Sequence, residues 1–171
     1  MEISDSVDEG VVDQLYKISS VSLCSNVDAQ ILMDLKVNPP KEGDESYEQY
    51  KNERDEILVS LKKRAKILVD SLQQLDGISC APANAAMYAF PRIHLSEKAI
   101  QVAKEQKIAP DLFYCMELLK ETGIVVVPGS GFEQKDGTYH FRTTFLPPEN
   151  EIIEFCDRIK KFHNEFMNKY A

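Results

Sequence analysis

One long helix dominates what this chain can fold into. The string Asn38-Pro39-Pro40-Lys41-Glu42-Gly43 ends any helix before it, because consecutive prolines exclude helical backbone and the glycine frees the chain afterwards. Ser46-Tyr47-Glu48-Gln49 then has the capping-box pattern, in which the serine hydroxyl accepts from one orphan amide and the glutamine side chain reaches back to another. Apolar residues recur at helical spacing through Tyr50, Ile57, Leu61, Ala65, Leu68, Leu72 and Leu75 until Gly77, which suits a left-handed stop. The spacing predicts a helix over 46–76, roughly 45 Å long at the helical rise. A helix of that length with so polar an outer face bridges two parts of a molecule more readily than it fills one core. A coiled-coil strand is the alternative, and the break in the stripe at Arg54 counts against it.

The segments on either side differ in character. Before the prolines, Val12, Leu15, Ile18, Val21, Leu23, Ile31, Leu32 and Leu35 suit two short helices that close no core of their own. After Gly77 the period becomes that of strands, over 78–81, 86–93 and 139–146, with a short buried strand at Ile124-Val125-Val126-Val127. Ser96 caps a helix to about Lys107, and Pro110 opens another, with Leu112, Phe113, Met116 and Leu119 facing inward, that Gly123 ends. A last helix, Glu149 to Lys169, buries Ile152, Phe155, Ile159, Phe162 and Phe166. The fold class is α/β: a small mixed sheet flanked by helices, preceded by the long connecting helix and a helical arm. Residues 1–42 form the arm and 43–171 the domain.

Composition removes several function classes. With 20 basic and 28 acidic residues the net charge is -8, which disfavours binding to a nucleic-acid backbone. No stretch approaches the roughly 20 apolar residues of a membrane span, and the acidic start Met1-Glu2-Ile3-Ser4-Asp5 has no signal-peptide character, so a soluble cytoplasmic protein is expected. Cys24, Cys80, Cys115 and Cys156 stand far apart and read as reduced, mostly buried thiols. His94, His140 and His163 have no partners at metal-ligand spacing, so no metal site is expected.

Arg142 carries the clearest chemistry. It lies in mid-strand, on the face opposite Tyr139, Phe141, Thr143 and Phe145, and its planar guanidinium can hold a carboxylate through two parallel hydrogen bonds. A salt bridge within the protein is the commoner fate of such an arginine. Tyr88 can present its phenol to a pocket or sit in the core. Pro128-Gly129-Ser130-Gly131-Phe132 is rich enough in glycine to suggest a phosphate cradle with Ser130 lining it, but it has neither the GxGxxG spacing nor a Walker lysine and reads more readily as a tight loop after a buried strand. No nucleophile motif is present.

Four strings, taken together, resemble the alanine aminotransferases, pyridoxal-phosphate enzymes of the class I and II aminotransferases. They are Ala86-Met87-Tyr88-Ala89-Phe90-Pro91-Arg92, Ala109-Pro110-Asp111-Leu112-Phe113-Tyr114-Cys115, Glu121 to Phe132, and Gly137-Thr138-Tyr139-His140-Phe141-Arg142 followed by Leu146-Pro147-Pro148. Val21-Ser22-Leu23-Cys24 and Val37-Asn38-Pro39-Pro40 extend the likeness upstream. The resemblance implies the end of the family's large domain over 1–42 and its C-terminal small domain over 43–171, with the cofactor bound between the two domains of a homodimeric parent. It implies that Arg142 binds the carboxylate of an amino acid or 2-oxo acid, alanine and 2-oxoglutarate being the expected pair. The family's Schiff-base lysine lies in a serine-lysine-glycine string that is absent here. No catalytic residue is therefore assigned in this chain, and an inactive fragment of a longer polypeptide is expected, with an organellar location of that polypeptide left open beside the cytoplasmic one. Two departures stand out: Ala85 replaces the family's usual glycine, and Ser25-Asn26-Val27-Asp28-Ala29 replaces a proline pair and serine-glycine turn. The first leaves a non-catalytic binding or interaction domain as the alternative.

Overall fold

The computed structural model of the chain describes residues 7–22, 24 and 26–171. The acidic start, Leu23 and Ser25 lie outside the described residues. The chain divides into two compact units, Met1–Glu53 and Arg54–Ala171. The division falls inside the long helix, further along than the proline and glycine breaker at which the sequence suggested a boundary between 42 and 43.

In the first unit, α1 (Glu9–Ser19) is capped by Asp8, whose carboxylate accepts the Gly10 amide at 2.9 Å. In α2 (Val27–Val37) the Asn26 side chain accepts from the Asp28 and Ala29 amides. Neither helix buries a residue, so their apolar side chains, Ile18 and Leu32 among them, stay exposed. The long helix α3 (Tyr47–Gln73) starts where the sequence placed it, although Gln49 donates forward to Glu53 at 2.8 Å rather than back to the helix start. Its end differs from the expected 76. Leu75 to Ile78 forms a turn closed by the Ile78 amide on the Leu75 carbonyl, and Gly77, with φ 82°, takes its left-handed third position instead of capping the helix. The apolar stripe of α3 is buried only from Ala65 onward, at Ala65, Leu68, Val69 and Leu72.

The second unit is built around β5 (Tyr139–Thr144). On one edge it pairs with β2 (Tyr88–Ala89) and β3 (Arg92–Ile93), on the other with β4 (Val127–Pro128), while β1 (Ile78–Ser79) pairs with β3. Every described pairing is antiparallel, so the sheet expected to be mixed is not. The predicted strand over 86–93 keeps one register throughout, Tyr88 opposite Thr144 and Arg92 opposite His140, but it is interrupted at Pro91. The Phe141 amide donates to the Pro91 carbonyl at 3.2 Å, and Pro91 has no N–H to return the bond. The expected strand at 124–127 pairs only at its end, and it is buried at Ile124 and Val126 but not at Val125, which is 76% exposed.

Helices cover the inner face. Ser96 caps α4 (Glu97–Glu105) through the Ala99 amide, and α5 (Pro110–Thr122) stops at a left-handed Gly123. The inward face of α5 differs from expectation: Asp111, Phe113, Tyr114, Cys115 and Leu118 are buried, whereas Met116 and Leu119 reach solvent. Helix α6 spans Glu149–Lys169 as read from the sequence, burying Ile152, Ile159, Phe162 and Phe166, with Phe155 only partly covered. Arg64 of α3 donates to the Leu146 and Pro147 carbonyls and so fixes the corner between β5 and α6. Cys80, Cys115 and Cys156 are buried free thiols, and burial pushes the Cys115 thiol up to about 12; Cys24 is exposed.

Tyr114 and Phe141 stack at the centre of this core, each fully buried. A side chain of the size of Phe141 contributes roughly 1.5–3 kcal/mol when fully buried. His163 is the polar exception. Its Nε2 donates to the Asp76 carbonyl at 2.7 Å, which leaves Nδ1 to accept from the Tyr114 hydroxyl at 3.0 Å. Burial lowers its pKa, with the Asp76 contacts opposing more weakly.

This arrangement predicts an acid-sensitive fold. A histidine in the unfolded chain titrates near about 6.5, so below that pH the unfolded state binds more protons than folded His163 does. Stability should therefore fall as the pH drops from about 6.5 and level off once folded His163 is itself protonated. Comparing urea midpoints at pH 7.5 and pH 5 checks this: His163→Gln should lose less over the interval than the wild type. His140, also lowered by burial, is present in both chains and cancels. Equal losses in the two chains would assign the acid sensitivity elsewhere.

Candidate functional site

Strand alternation turns Phe141, Thr143 and Phe145 into the core and leaves His140, Arg142 and Thr144 half-buried on the opposite face. Arg142 stands opposite Val127 of β4. Its guanidinium carbon lies 4.6 Å from the centre of the Tyr88 ring and 4.7 Å from that of Phe132. A cation over an aromatic ring is held by about 0.5–1 kcal/mol at such half-open positions. Neither aromatic ring face accepts a conventional hydrogen bond, so these contacts leave the guanidinium N–H donors with capacity for a planar acceptor. No carboxylate among the described residues pairs with Arg142, so the salt-bridge alternative finds no partner there.

A second layer of contacts holds Phe132. Phe90 meets it edge-on with centroids 5.8 Å apart, and His140 stacks flat on Phe90 at 4.8 Å with 2° between the planes. His140 Nδ1 is 2.8 Å from Gln134 Oε1, and the amide of Gln134 donates to the buried Asp111 carboxylate, also at 2.8 Å. Asp111 accepts the Ser130 backbone N–H as well. Gly129 makes room for this: a methyl group there would stand 2.2 Å from Gln134 Oε1 and 2.8 Å from the His140 Cβ. Burial and the Arg92 charge together hold the His140 pKa below its usual value, with the Asp111 charge opposing.

Of the residues singled out in the sequence, Arg142 and Tyr88 are therefore in contact. Ser130 is not with them. It sits in a 3-10 turn, Gly129–Phe132, beside a separate cavity of about 280 Å³ lined also by Pro110, Asp111, Gln134 and Tyr139. Its amide is already committed to Asp111, which is the wrong arrangement for a phosphate cradle. Sequence reasoning missed Phe132, the second ring on Arg142, although it closes the glycine-rich string; it also missed Asp111, which a hydropathy pattern counts as surface. Ala85 is not among the positive-φ residues, so no glycine is needed there for backbone conformation; the left-handed residue is its neighbour Ala86, at φ 59°. Among the described residues no group of His, Cys, Asp and Glu is arranged to hold a metal, and no helix is long and apolar enough to cross a membrane.

A sequence profile of the family described as Aminotransferase class I and II matches residues 6–159. A probable mitochondrial alanine aminotransferase of Dictyostelium discoideum is 52% identical over 99% of this chain and 32% of its own length. Alanine aminotransferase 2 of Panicum miliaceum is 57% identical over 94% of the chain and 33% of its own length. Glutamate–glyoxylate aminotransferase 2 of Arabidopsis thaliana is 50% identical over the same share of the chain and 33% of its own length. The chain thus spans about a third of the length of the curated relatives it matches. Among solved structures, an alanine aminotransferase from Pyrococcus furiosus superposes with a TM-score of 0.66 at 26% identity, over 87% of this chain and 33% of that one.

The close approach at Gly129 generates a direct test. Gly129→Ala should push Gln134 off both His140 and Asp111 and lower stability by about 1–3 kcal/mol, the usual cost of overpacking. Chemical denaturation measures it, and an unchanged midpoint would mean that the turn relaxes without loss.

Proposed function

Because the chain belongs to the class I and II aminotransferases, we propose that it supplies the carboxylate grip of a pyridoxal-phosphate-dependent transaminase that moves an amino group from alanine to 2-oxoglutarate. The observation that carries this reading is the Arg142 guanidinium, held against Tyr88 and Phe132 and unpaired by any carboxylate among the described residues. Amino acids and 2-oxo acids share a planar carboxylate, and a fixed guanidinium binds it by two parallel hydrogen bonds. Arg142 then orients the substrate and supplies proximity rather than bond-making. Relatives named for alanine and for glutamate–glyoxylate match this chain at 52% and 50%. The carboxylate is what alanine, glutamate and glyoxylate have in common, and it is the part of the substrate this chain is built to hold. Alanine with 2-oxoglutarate is the pair we favour because relatives named alanine aminotransferase, at 52% and 57% identity, cover nearly the whole chain.

Pyridoxal phosphate is the cofactor the family implies, and the described residues of this chain do not form a seat for it. The one glycine-rich turn directs its Ser130 amide to Asp111, and the serine-lysine-glycine string is absent. No chemical step through the cofactor is assigned to this chain; the attaching lysine belongs to the rest of the polypeptide. We further propose a homodimer for the whole enzyme, as membership of the family implies. The cytoplasmic reading of the sequence widens to include the mitochondrion, the compartment in the name of the Dictyostelium relative.

Two measurements test this. Truncating one partner of a hydrogen-bonded charge pair costs roughly 2–5 kcal/mol, or about 30- to 5,000-fold. Arg142→Ala in the full-length enzyme should lower kcat/KM for alanine within that range, and Arg142→Lys should also be impaired, since an ammonium lacks the two-pronged geometry. Near-normal turnover in a folded Arg142→Lys enzyme would make Arg142 a structural residue. Separately, the present chain mixed with pyridoxal phosphate and reduced with borohydride should show scattered lysine labelling. A stoichiometric adduct at one lysine would overturn the assignment of that lysine to the rest of the polypeptide.

A further inference from the structure

Asp111 is a carboxylate with no exposure at all, in the first turn of α5, and the grip on Arg142 does not touch it. Its surroundings are nonetheless highly ordered. Oδ1 accepts the Leu112 amide at 3.0 Å, and Oδ2 accepts both the Ser130 amide at 2.5 Å and the Gln134 side-chain amide at 2.8 Å. A buried carboxylate at a helix N-terminus is favoured by the helix dipole and by these N–H donors, and it costs several kcal/mol to leave without them. The bonds from Ser130 and Gln134 tie α5 to the segment that carries Phe132.

The orientation of Gln134 then follows by elimination. A carboxylate only accepts, so the Gln134 NH₂ faces Asp111 and its Oε1 faces His140, which obliges His140 to carry its proton on Nδ1. The His140 ring, fixed in that plane, lies flat on Phe90, and Phe90 abuts Phe132. Two routes from one carboxylate therefore converge on Phe132: a short one through Ser130 and the turn, and a longer one through Gln134, His140 and Phe90.

We propose that Asp111 is a positioning residue for Arg142, holding Phe132 in place by these two routes so that the guanidinium keeps its aromatic support and its direction. The proposal rests on the reading of Arg142 as the carboxylate grip only for its functional consequence; the positioning itself is a property of this chain. A mere helix cap would need the Leu112 bond alone. It would not require the Gln134 amide, the Nδ1–H form of His140 or the stack on Phe90.

The test is NMR of the isotope-labelled chain. In the wild type the Arg142 Hδ and Hε signals should be displaced upfield by the rings of Tyr88 and Phe132, contacts between Phe132 and Arg142 should be visible, and His140 should show the Nδ1–H tautomer. Asp111→Asn, which turns an acceptor into a donor facing other donors, should remove roughly half or more of the upfield displacement. Gln134→Ala keeps the Ser130 bond and cuts only the longer route; it should move His140 towards the Nε2–H tautomer and reduce the displacement by a smaller amount. If Asp111→Asn fails to fold, Gln134→Ala decides alone. An Arg142 displacement unchanged in a folded Asp111→Asn chain, or in Gln134→Ala, overturns the proposal. Titration with 2-oxoglutarate separates the underlying reading: a displaced Arg142 signal that does not respond to it refutes the carboxylate grip and leaves the positioning role standing.

Discussion

Alternation along β5 is the constraint on which the rest of this chain depends. A strand places successive side chains on opposite faces, so Phe141 between His140 and Arg142 must enter the core if those two are to face out. Phe141 is completely buried against Tyr114, and Tyr114 is anchored through its hydroxyl to His163 of α6. A slip of one residue in the pairing of β5 would send Arg142 into this aromatic packing and Phe141 into solvent. The free energy that holds the core together is thus the same free energy that fixes the direction of the guanidinium. The edges of β5 add to this, because its partners on both sides set the register independently, Tyr88 opposite Thr144 on one side and Val127 opposite Arg142 on the other.

Much of the framework was legible from residue pattern, and the failures share a cause. Helix α6 and the left-handed stop of α5 were readable because their signals are local: an amphipathic stripe after Pro147-Pro148, and a glycine after the last turn. The broken strand at Pro91 was also in principle local, since a missing N–H cannot complete a ladder. The misread face of α5 was not. Asp111 is buried because Ser130 and Gln134 reach it from a distant segment, and no periodicity within α5 reports that. The same holds for Phe132, whose role depends on a turn folding back against β5. Gly77 misled in another way: its left-handed backbone was anticipated correctly, but it closes a turn after the helix instead of capping it.

The site itself illustrates how an arginine can be held without a counter-ion among the described residues. A carboxylate from the chain would fix Arg142 more tightly and would also consume the donors that a ligand needs. Tyr88 and Phe132 offer weaker contacts, each of about 0.5–1 kcal/mol at an exposed site, but they take up none of its hydrogen-bond donors. Weak contacts position a side chain only if they are rigid. That rigidity has to come from behind the rings, which is where Phe90, His140, Gln134 and Asp111 lie.

The proposed carboxylate grip is also consistent with the similarity of relatives named for different substrates. Alanine and glutamate differ in side chain, glyoxylate has no amino group, and all three carry a carboxylate; the relatives named for them match this chain almost equally well. If discrimination among these substrates were built into this segment, the match should fall as the substrate changes. It does not, which supports the proposal that Arg142 holds the shared carboxylate while other parts of the polypeptide select among side chains. A guanidinium held by rings rather than by a counter-ion is suited to that proposed role, since its two-pronged donors would fix a carboxylate whatever lies beyond the α-carbon.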